Sequence, residues 1–381
     1  MSYKERIKEL RAFRHYLHKH PELSGQERNT ANAILEFLGD HPSRKIITNV
    51  GGEGIVLVYE SDVPGRTIMI RADMDALPIP EEPVDIPYAS NSPGVGHLCG
   101  HDGHTAILVG LAKELDHTPP ESGKVILLFQ PSEENGQGAH DVLEDVKFTY
   151  FPDFIFALHN LPGFELGTVI HRKGIFSCAS TGMRIKLQGR TSHAAEPHLG
   201  ISPERAIRRM LRFVEERRKT LPSDTIVTTT HIRMGEKVFG ISPGLARIFF
   251  TLRSGNTEGM EDLFRELDDH FREIATQEEL IYSSKKTEYF PSTSNDADAV
   301  SYLLEAAENC KLKTKEIDLP FGWSEDFGWF TQEFPGALFG LGSGTDHVPL
   351  HHPSFDFPDK LLPVGISLFH EIIRSCLRHP L

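Results

Sequence analysis

Four short apolar runs, each rich in β-branched residues, place the strongest constraint on the fold of this 381-residue chain. Continuous runs of this kind are typical of strands that are buried on both faces of a sheet. A predicted helix at residues 105–115 separates the second run from the third. This alternation indicates an α/β domain with a mostly parallel sheet flanked by helices. The runs occupy residues 55–59, 67–70, 125–129 and 154–158.

The pattern changes near residue 180. From there to Pro291 the predicted order is strand, helix, strand, strand, helix, strand, which is typical of a ferredoxin-like α+β unit. The α/β character then resumes, with predicted helices at residues 297–309 and 363–378. We therefore expect one α/β domain, formed by residues 1–179 and 293–381, that is interrupted by an inserted α+β domain at residues 180–292.

The charge balance and the distribution of apolar residues exclude several classes of protein. Lys and Arg total 40 against 54 Asp and Glu, a formal net charge of −14, whereas a nucleic-acid-binding protein needs a basic face. No apolar stretch approaches the roughly 18–20 residues of a membrane helix, and the charged N-terminus lacks a secretory apolar region. The 4 cysteines are far apart. We therefore expect a cytoplasmic protein with reduced thiols, with neither nucleic acid nor membrane as a partner.

Polar side chains follow three of the predicted strands where each strand ends. Asp73 and Asp75 come after the second run, Glu133 and Glu134 after the third, and His159 after the fourth. In open α/β sheets, ligands bind outside the carboxyl ends of the strands. The sequence thus predicts that these side chains meet at one edge of the sheet.

A cluster of metal-capable side chains lies between the first two of these strand ends. We expect Cys99 and His101 to share one side of an extended segment, with a helix starting just after the cluster and directing its positive end at the same region. Three more histidines occur near the C-terminus, at positions 347, 351 and 352. Nitrogen, sulfur and oxygen donors together suit zinc, nickel or manganese. The cluster contains His97, Cys99, His101, Asp102 and His104.

The adjacent carboxylates of Glu133 and Glu134 can have two different roles. One carboxylate can bind metal while the other takes the proton of a metal-bound water as that water attacks a carbonyl group, which is amide or ester hydrolysis. Other features have simpler interpretations. A single histidine at a strand end is more often structural than a ligand, and we expect the segment Gly340-Leu341-Gly342-Ser343-Gly344 to form a turn.

Eight motifs, in order, resemble those of the amidohydrolase branch of metallopeptidase family M20, which includes hippurate hydrolases, N-acyl-amino-acid deacylases, N-acetyldiaminopimelate deacetylases and auxin-conjugate hydrolases. The resemblance runs from Phe13 to the end of the chain. The motifs are FRHYLHKHPELSGQE (13–27), RADMDALP (71–78), HLCGHDGH (97–104), FQPSEE (129–134), ALHNLP (157–162), GRTSHAAEPH (189–198), SEDF (324–327) and LHHPSF (350–355).

The resemblance implies a catalytic domain with two divalent metal ions (Mn, Zn or Ni) and an inserted lid and dimerisation domain. It implies Glu133 as the general base, Asp75 behind the metal site, and His193 of the lid as a hydrogen-bond donor to the oxyanion. In dimeric relatives, such a lid residue can come from the partner subunit. We expect a homodimer formed through the edge strands of the inserted domain. The implied metal ligands are Cys99, His101, Glu134, His159 and His351.

The leading hypothesis is therefore a metal-dependent amidohydrolase that cleaves the amide bond of a small N-acyl amino acid by attack of a metal-bridging water. One alternative is a carboxypeptidase or dipeptidase of the same fold. Another, of a different class, is a catalytically silent protein that binds amino-acid derivatives or metal. The lid departs from the family at Gly240, which stands where relatives usually carry an Asn, so we expect one substrate or oxyanion contact of the family to differ here.

Overall fold

The computed structural model describes residues 3–82 and 86–378, which divide into two compact units. Unit 1 comprises Met1–Phe176, Thr293–Pro320 and Glu325–Leu381, and unit 2 comprises Ser177–Ser292 and Phe321–Ser324. Among the helices of the described residues, none combines the length and the apolar composition that a membrane span requires.

Strands and helices alternate through most of the described chain. The helices are α1 (Tyr3–Lys19), α2 (Arg28–Leu38), α3 (His101–His117), α4 (Gly138–Glu144), α5 (Glu204–Arg218), α6 (Thr257–Gln277), α7 (Ala297–Asn309), α8 (Gly328–Glu333) and α9 (Leu361–Arg378). The strands are β1 (Lys45–Val50), β2 (Gly54–Glu60), β3 (Thr67–Asp73), β4 (Lys124–Gln130), β5 (Phe154–Pro162), β6 (Val169–His171), β7 (Gly174–Ser177), β8 (Ala179–Gln188), β9 (Ser192–His193), β10 (Ile226–Met234), β11 (Ile241–Ser242), β12 (Leu245–Ser254), β13 (Ile281–Phe290), β14 (Thr293–Asn295), β15 (Thr314–Glu316) and β16 (Gly336–Gly344).

Unit 1 is built on an eight-stranded sheet with the order β1-β2-β4-β3-β5-β16-β6-β15. Its centre is parallel, since β4, β3, β5 and β16 run in one direction, while β1–β2, β2–β4 and β6–β16 are antiparallel pairs. Apolar residues of α1, α3, α7 and α9 pack with the sheet in one continuous core. The prediction of a mostly parallel sheet flanked by helices is confirmed.

Unit 2 contains a four-stranded antiparallel sheet with the order β10-β12-β8-β13. Helices α5 and α6 bury their apolar faces against it, among them Met210 of α5 and Phe271 of α6. The chain order β8-α5-β10-β12-α6-β13 combined with this sheet order is the ferredoxin-like arrangement. The α+β class expected for the inserted segment is therefore confirmed.

The glycine-rich segment at residues 340–344 is not a turn, contrary to the expectation. It forms the end of β16, a buried strand that pairs with β5 in parallel. A Cβ atom at Gly340 would overlap Leu161, and one at Gly342 would overlap the backbone oxygen of Glu165. Glycine occurs here because neighbouring chain approaches the strand closely, so the segment lacks the β-branched pattern by which a strand is recognised.

Candidate active site

Three adjacent parallel strands of unit 1 place the strand-end residues at one edge of the sheet. Asp73 is the last residue of β3, and Glu133 and Glu134 follow the end of β4 by three and four residues. His159 lies in the second half of β5, which pairs with β3 on the side opposite β4. All of these side chains except Glu134 are buried, and Glu134 is half-buried.

The segment at residues 97–104 differs from the expected extended form. Helix α3 begins at His101, inside the metal-capable cluster, so Cys99 lies in the preceding loop and His101 in the first helical turn. Gly100 between them has a left-handed backbone (φ 97°), and a Cβ there would overlap the side chain of Asn160. Glycine is therefore required at the bend that sets Cys99 against His101.

His351 reaches the same place from the loop after β16. Its backbone is left-handed (φ 64°), and its backbone N donates a hydrogen bond of 2.8 Å to the carbonyl oxygen of Leu98. The exposed fraction of its side chain is 51%, against 13% for Glu134. His351 is thus the member of the predicted ligand set that faces solvent most.

The five predicted ligands come together. Cys99 Sγ lies 3.5 Å from His159 Nε2, His101 Nε2 lies 3.8 Å from Glu134 Oε1, and His351 Nε2 lies 3.9 Å from the same Glu134 oxygen. Donor atoms of Cys99, His101 and His159 all lie within 4.8 Å of one another, as do those of Cys99, Glu134 and His351. Two overlapping groups that share Cys99 are an arrangement that can hold two ions.

The chemistry of these residues fits divalent metal ions. His101 Nε2 and Glu134 Oε1 are buried, and neither has a hydrogen-bond partner among the residues that the structure describes. A buried polar atom without a partner is costly, and an ion between the two would satisfy both. Thiolate, imidazole and carboxylate donors together match the preferences of zinc and its neighbours in the first transition series.

Asp75 lies behind two of these ligands. Its backbone oxygen and Oδ1 are 3.0 and 3.2 Å from His101 Nδ1, and its Oδ2 accepts a hydrogen bond of 3.0 Å from the backbone N of Glu134. Ser24 Oγ donates a further hydrogen bond to Oδ2. Asp75 therefore fixes the ring of His101 so that Nε2 points away from it, and it holds the backbone of Glu134.

Glu133 lies beside the predicted ligands but belongs to neither of the two ligand groups that share Cys99. Its Oε2 is 3.9 Å from His101 Nε2, and its Oε1 faces the backbone N of Asp326 at 3.4 Å. Burial raises the pKa of the Glu133 carboxyl well above its usual range, and the nearby carboxylates of Glu325 and Glu134 add to the effect. A carboxyl with a raised pKa is suited to accept and release protons near neutral pH.

Burial shifts the pKa values of several ligands away from their usual ranges. Burial raises the pKa of the Cys99 thiol, and the charge of Glu134 adds to it. Burial also raises the pKa of Glu134 to about 7, although the charge of His101 opposes this shift. Burial lowers the pKa of His159 to about 3, so its imidazole is in the neutral form that binds metal. Bound cations would reverse the shifts of the thiol and the carboxyl.

A buried arginine, to which the sequence pattern gave no role, pairs with several buried polar side chains next to the site. Arg71, in the middle of β3, donates hydrogen bonds to Asp73 (2.6 Å), Glu325 (2.9 Å), Asp326 (2.8 Å) and Gln130 (2.8 Å). It is 1% exposed. An arginine within an otherwise apolar strand is the signal that indicates such a network, because a buried cation must be paired.

His104 and Asp73 form a second supporting contact. His104 Nδ1 lies 2.7 Å from Asp73 Oδ1, and its Nε2 lies 2.6 Å from Asn160 Oδ1, next to His159 in β5. His104 was grouped with the metal-capable residues, and Asp73, His101 and His104 do offer donor atoms within 4.8 Å of one another. Both ring nitrogens of His104 are engaged by protein atoms, so it serves here to connect β3 with β5.

His18 and Arg14 of α1 reach beneath α3. His18 Nδ1 and Arg14 Nη1 lie 2.9 and 3.3 Å from Asp102 Oδ2, and Asp102 is the residue after His101. His18 Nε2 also lies 3.1 Å from Glu81 Oε1. His18 thus contacts the first turn of the helix that carries His101.

His193 and Gly240 both belong to unit 2. His193 lies on β9, which pairs with β11, and its side chain is exposed. The backbone N of Ala194 donates a hydrogen bond of 3.0 Å to the carbonyl oxygen of Gly240. A Cβ at Gly240 would meet no atom within 4 Å, so packing does not require the glycine.

Known proteins resemble this chain over most of its length. The sequence model described as peptidase family M20/M25/M40 matches residues 69–375. N-acetyl-L-cysteine deacetylase of Bacillus subtilis strain 168 is 31% identical over 378 residues, which cover 97% of this chain and 88% of that protein. N-acetyldiaminopimelate deacetylase of the same strain is 30% identical over 364 residues, 93% of this chain and 95% of that protein.

A solved structure shows the same fold. The YXEP protein of Bacillus subtilis, described as a dinuclear metal binding peptidase from the M20 family, superposes with a TM-score of 0.80 at 28% identity, covering 98% of this chain and 99% of that one. The resemblance drawn from the eight motifs is therefore confirmed, and the chain belongs to peptidase family M20/M25/M40.

Proposed function

We propose that this protein is a metal-dependent amidohydrolase that cleaves the amide bond of a small N-acyl amino acid. The observation that carries the proposal is the convergence of five metal-capable side chains from four separate segments of unit 1, beside a buried carboxyl, Glu133, that neither ligand group needs. The deacetylase names of the relatives support the substrate class.

Two divalent metal ions (Mn, Zn or Ni) are the proposed cofactors, and their proposed ligands are Cys99, His101, Glu134, His159 and His351. When bound, the ions polarise the amide carbonyl and make water a stronger acid. Asp75 keeps the imidazole of His101 turned towards them through its contacts with Nδ1. Because the ligands must be deprotonated, metal affinity falls at low pH.

Glu133 is the proposed general base. Its carboxylate can take the proton of the attacking water and then, as a carboxylic acid, give that proton to the leaving amine. The backbone N of Asp326 faces Oε1, which leaves Oε2 on the side of His101. The base is thus held on the side where the ligands converge.

His193 is the proposed donor to the oxyanion that forms on the amide carbonyl. The support is its place in the GRTSHAAEPH motif and its exposed side chain on β9. Removal of one such donor commonly lowers kcat by about 10²–10³-fold. A His193→Ala variant with unchanged kcat would contradict this role.

A homodimer is the proposed assembly, formed through edge strands of unit 2. Strand β10 lies at one edge of the four-stranded sheet and exposes Ile226, Ile232 and Met234. An apolar edge strand with free backbone groups on one side is a ready pairing surface. Sedimentation at micromolar concentration should give twice the mass of one chain, and a single-chain mass would contradict the assembly.

A substrate panel tests the proposed function. Chelator-treated protein is reloaded with Mn²⁺, Zn²⁺ or Ni²⁺ and assayed on N-acetyl and N-benzoyl amino acids and on free dipeptides, with elemental analysis of each sample. We expect hydrolysis of the N-blocked compounds only after reloading. Preferential cleavage of free dipeptides would indicate a dipeptidase, and tight binding without turnover would indicate a silent binding protein.

A further inference from the structure

Ser132 adopts an unusual backbone conformation directly before the two site glutamates. Its φ of 59° is in the left-handed region, which a residue with a Cβ rarely adopts. The carboxyls of Glu133 and Glu134 follow it, so the direction of both depends on this one residue. A conformation of this kind persists only when surrounding contacts hold it.

Glu27, more than one hundred positions earlier in the chain, makes that contact. Its Oε1 accepts a hydrogen bond of 2.7 Å from the backbone N of Ser132, and the carbonyl oxygen of Ser132 accepts one of 3.0 Å from the backbone N of Gly138. Glu27 is 0% and Ser132 is 7% exposed. The left-handed residue is therefore held at both of its backbone polar groups, away from solvent.

The loop that carries Glu27 also reaches the opposite side of the doublet. Ser24 donates a hydrogen bond of 2.7 Å to Asp75 Oδ2, the same oxygen that accepts from the backbone N of Glu134. Residues 24–27 thus hold the backbone before Glu133 directly and the backbone of Glu134 through Asp75. This loop itself supplies none of the proposed ligands.

We propose that Glu27 is a positioning residue, which holds Ser132 in its left-handed conformation and thereby directs Glu134 at the metal ions and Glu133 at the attacking water. The inference rests on the proposed function for the role of Glu133, and on metal binding alone for the role of Glu134. What Glu27 supplies is an acceptor oxygen at a fixed distance. Glutamine at position 27 can supply the same oxygen, whereas alanine and aspartate cannot.

Glu22 offers a matched control in the same loop. Its Oε2 accepts hydrogen bonds from the backbone N and Oγ1 of Thr30 in α2, at 2.7 and 2.9 Å. Glu22 therefore connects this loop to the start of the helix. Its carboxylate makes no contact with Ser132. If Glu27 only stabilised the loop and α2, Glu27→Ala and Glu22→Ala should have the same effect on Mn²⁺ affinity and kcat.

The experiment measures the Kd of Mn²⁺, by competition with a chelating dye, and the kcat of N-acetyl amino acid hydrolysis in the full-length protein. Removal of a residue that orients a metal ligand commonly lowers metal affinity or activity by about 10–100-fold. We expect Glu27→Ala to raise the Kd by about that factor and to lower kcat, while Glu27→Gln and Glu22→Ala stay within about threefold of the wild type.

A second substitution tests the mechanism. Glycine adopts the left-handed region without a steric cost, so Ser132→Gly in the Glu27→Ala background should recover most of the lost Mn²⁺ affinity. Because glycine in this conformation also relieves strain in the folded state, the free energy of unfolding of each variant is measured alongside its Kd. If Glu27→Ala fails to fold, Glu27→Asp replaces it, because the shorter side chain withdraws the acceptor while keeping the charge.

The outcomes separate this inference from the proposed function. If the variants show the expected Mn²⁺ affinities but the wild type hydrolyses no amide, the positioning role is supported and the proposed amidohydrolase function is contradicted. An active protein in which the folded Glu27 variant binds Mn²⁺ as tightly as Glu22→Ala would overturn the positioning role alone. Failure of Ser132→Gly to restore any affinity would also overturn it.

Discussion

His101 Nε2 and Glu134 Oε1 face each other 3.8 Å apart in the buried centre of the site, and neither has a hydrogen-bond partner in the part of the chain that the structure describes. Two such atoms destabilise the metal-free protein. A ligand that binds only the folded state adds about 2.7 kcal/mol at a concentration one hundred times its Kd. We therefore expect Mn²⁺ to raise the melting temperature of chelator-treated protein by several degrees.

Scanning calorimetry with and without EDTA measures this effect. His101→Ala should abolish the Mn²⁺-dependent shift, because it removes one of the two facing atoms. The control is His20→Ala, which removes an exposed imidazole just after α1 and should leave the shift intact. An equal shift in the His101 variant would show that the ion binds elsewhere.

Glu133→Gln should lower kcat by about 10²–10⁴-fold while metal content stays the same, because glutamine keeps the shape of the side chain but cannot take a proton. Steady-state hydrolysis of an N-acetyl amino acid and elemental analysis of the same sample measure the two quantities. Glu134→Gln is the matched comparison, since it should lower metal content as well. Turnover near that of the wild type in Glu133→Gln would remove Glu133 as the base.

Local patterns in the sequence predicted the centre of the fold and the edge where the site lies. β3, β4 and β5 follow from continuous apolar runs, and the polar residues after them mark the carboxyl edge of the sheet. The half-exposed β1 and the glycine-rich β16 carry no such pattern, since one lies at the sheet edge and the other is shaped by close neighbours.

The supporting network of the site was not predictable from local patterns. Arg71 contacts Glu325 and Asp326 across more than 250 positions, and Glu27 contacts Ser132 across more than one hundred. Only the fold determines which of many charged residues meet over such separations. The choice of His351 among three nearby histidines likewise came from resemblance to the family, and its left-handed backbone is a feature that spacing does not reveal.

Arg71→Met should destabilise unit 1 by about 3–5 kcal/mol, because it leaves three buried carboxylates without their cation. The carboxylates are those of Asp73, Glu325 and Asp326. The control is Arg374→Met in α9 of the same unit, which breaks a surface ion pair with Glu371 and should cost less than about 1 kcal/mol. If the two substitutions lower the free energy of unfolding equally, the pairing of Arg71 with these three carboxylates does not stabilise unit 1.

Urea unfolding followed by tryptophan fluorescence can isolate unit 1. The chain has 2 tryptophans, of which Trp329 lies in α8 of unit 1 and Trp323 in the short segment assigned to unit 2. In a Trp323→Phe background, Trp329 reports the unfolding of unit 1 alone. The free energy of unfolding is then compared between each Arg variant and this background.

The stability of unit 1 should decrease as pH rises from about 6.5 to about 9, because of His18. Burial lowers the pKa of His18, but hydrogen bonds to Asp102 and Glu81 outweigh burial and the charge of Arg14, and they raise the pKa from 6.5 to about 9. The folded state therefore binds the proton more tightly than the unfolded state. This stabilisation is complete below pH 6.5 and is lost as pH rises through the folded pKa, for a total of about 3 kcal/mol.

His18→Gln should flatten this part of the stability profile, since glutamine does not titrate. Urea unfolding in the Trp323→Phe background at half-unit steps from pH 6 to pH 9.5 measures the slope. His20→Gln, at an exposed residue just after the same helix, is the control and should keep the slope of the wild type. The same slope in the His18 variant would assign the pH dependence to other groups.

Gly342→Ala should destabilise unit 1 by about 1–3 kcal/mol, the usual cost of overpacking a buried site. The new methyl group would overlap the carbonyl oxygen of Glu165, a backbone atom that cannot move aside without disturbing the neighbouring chain. Gly240→Ala is the matched control, because the same methyl group at Gly240 meets no atom within 4 Å. Calorimetry should show a lower melting temperature for the first variant and an unchanged one for the second. If both variants melt like the wild type, close approach is not the reason for glycine in β16.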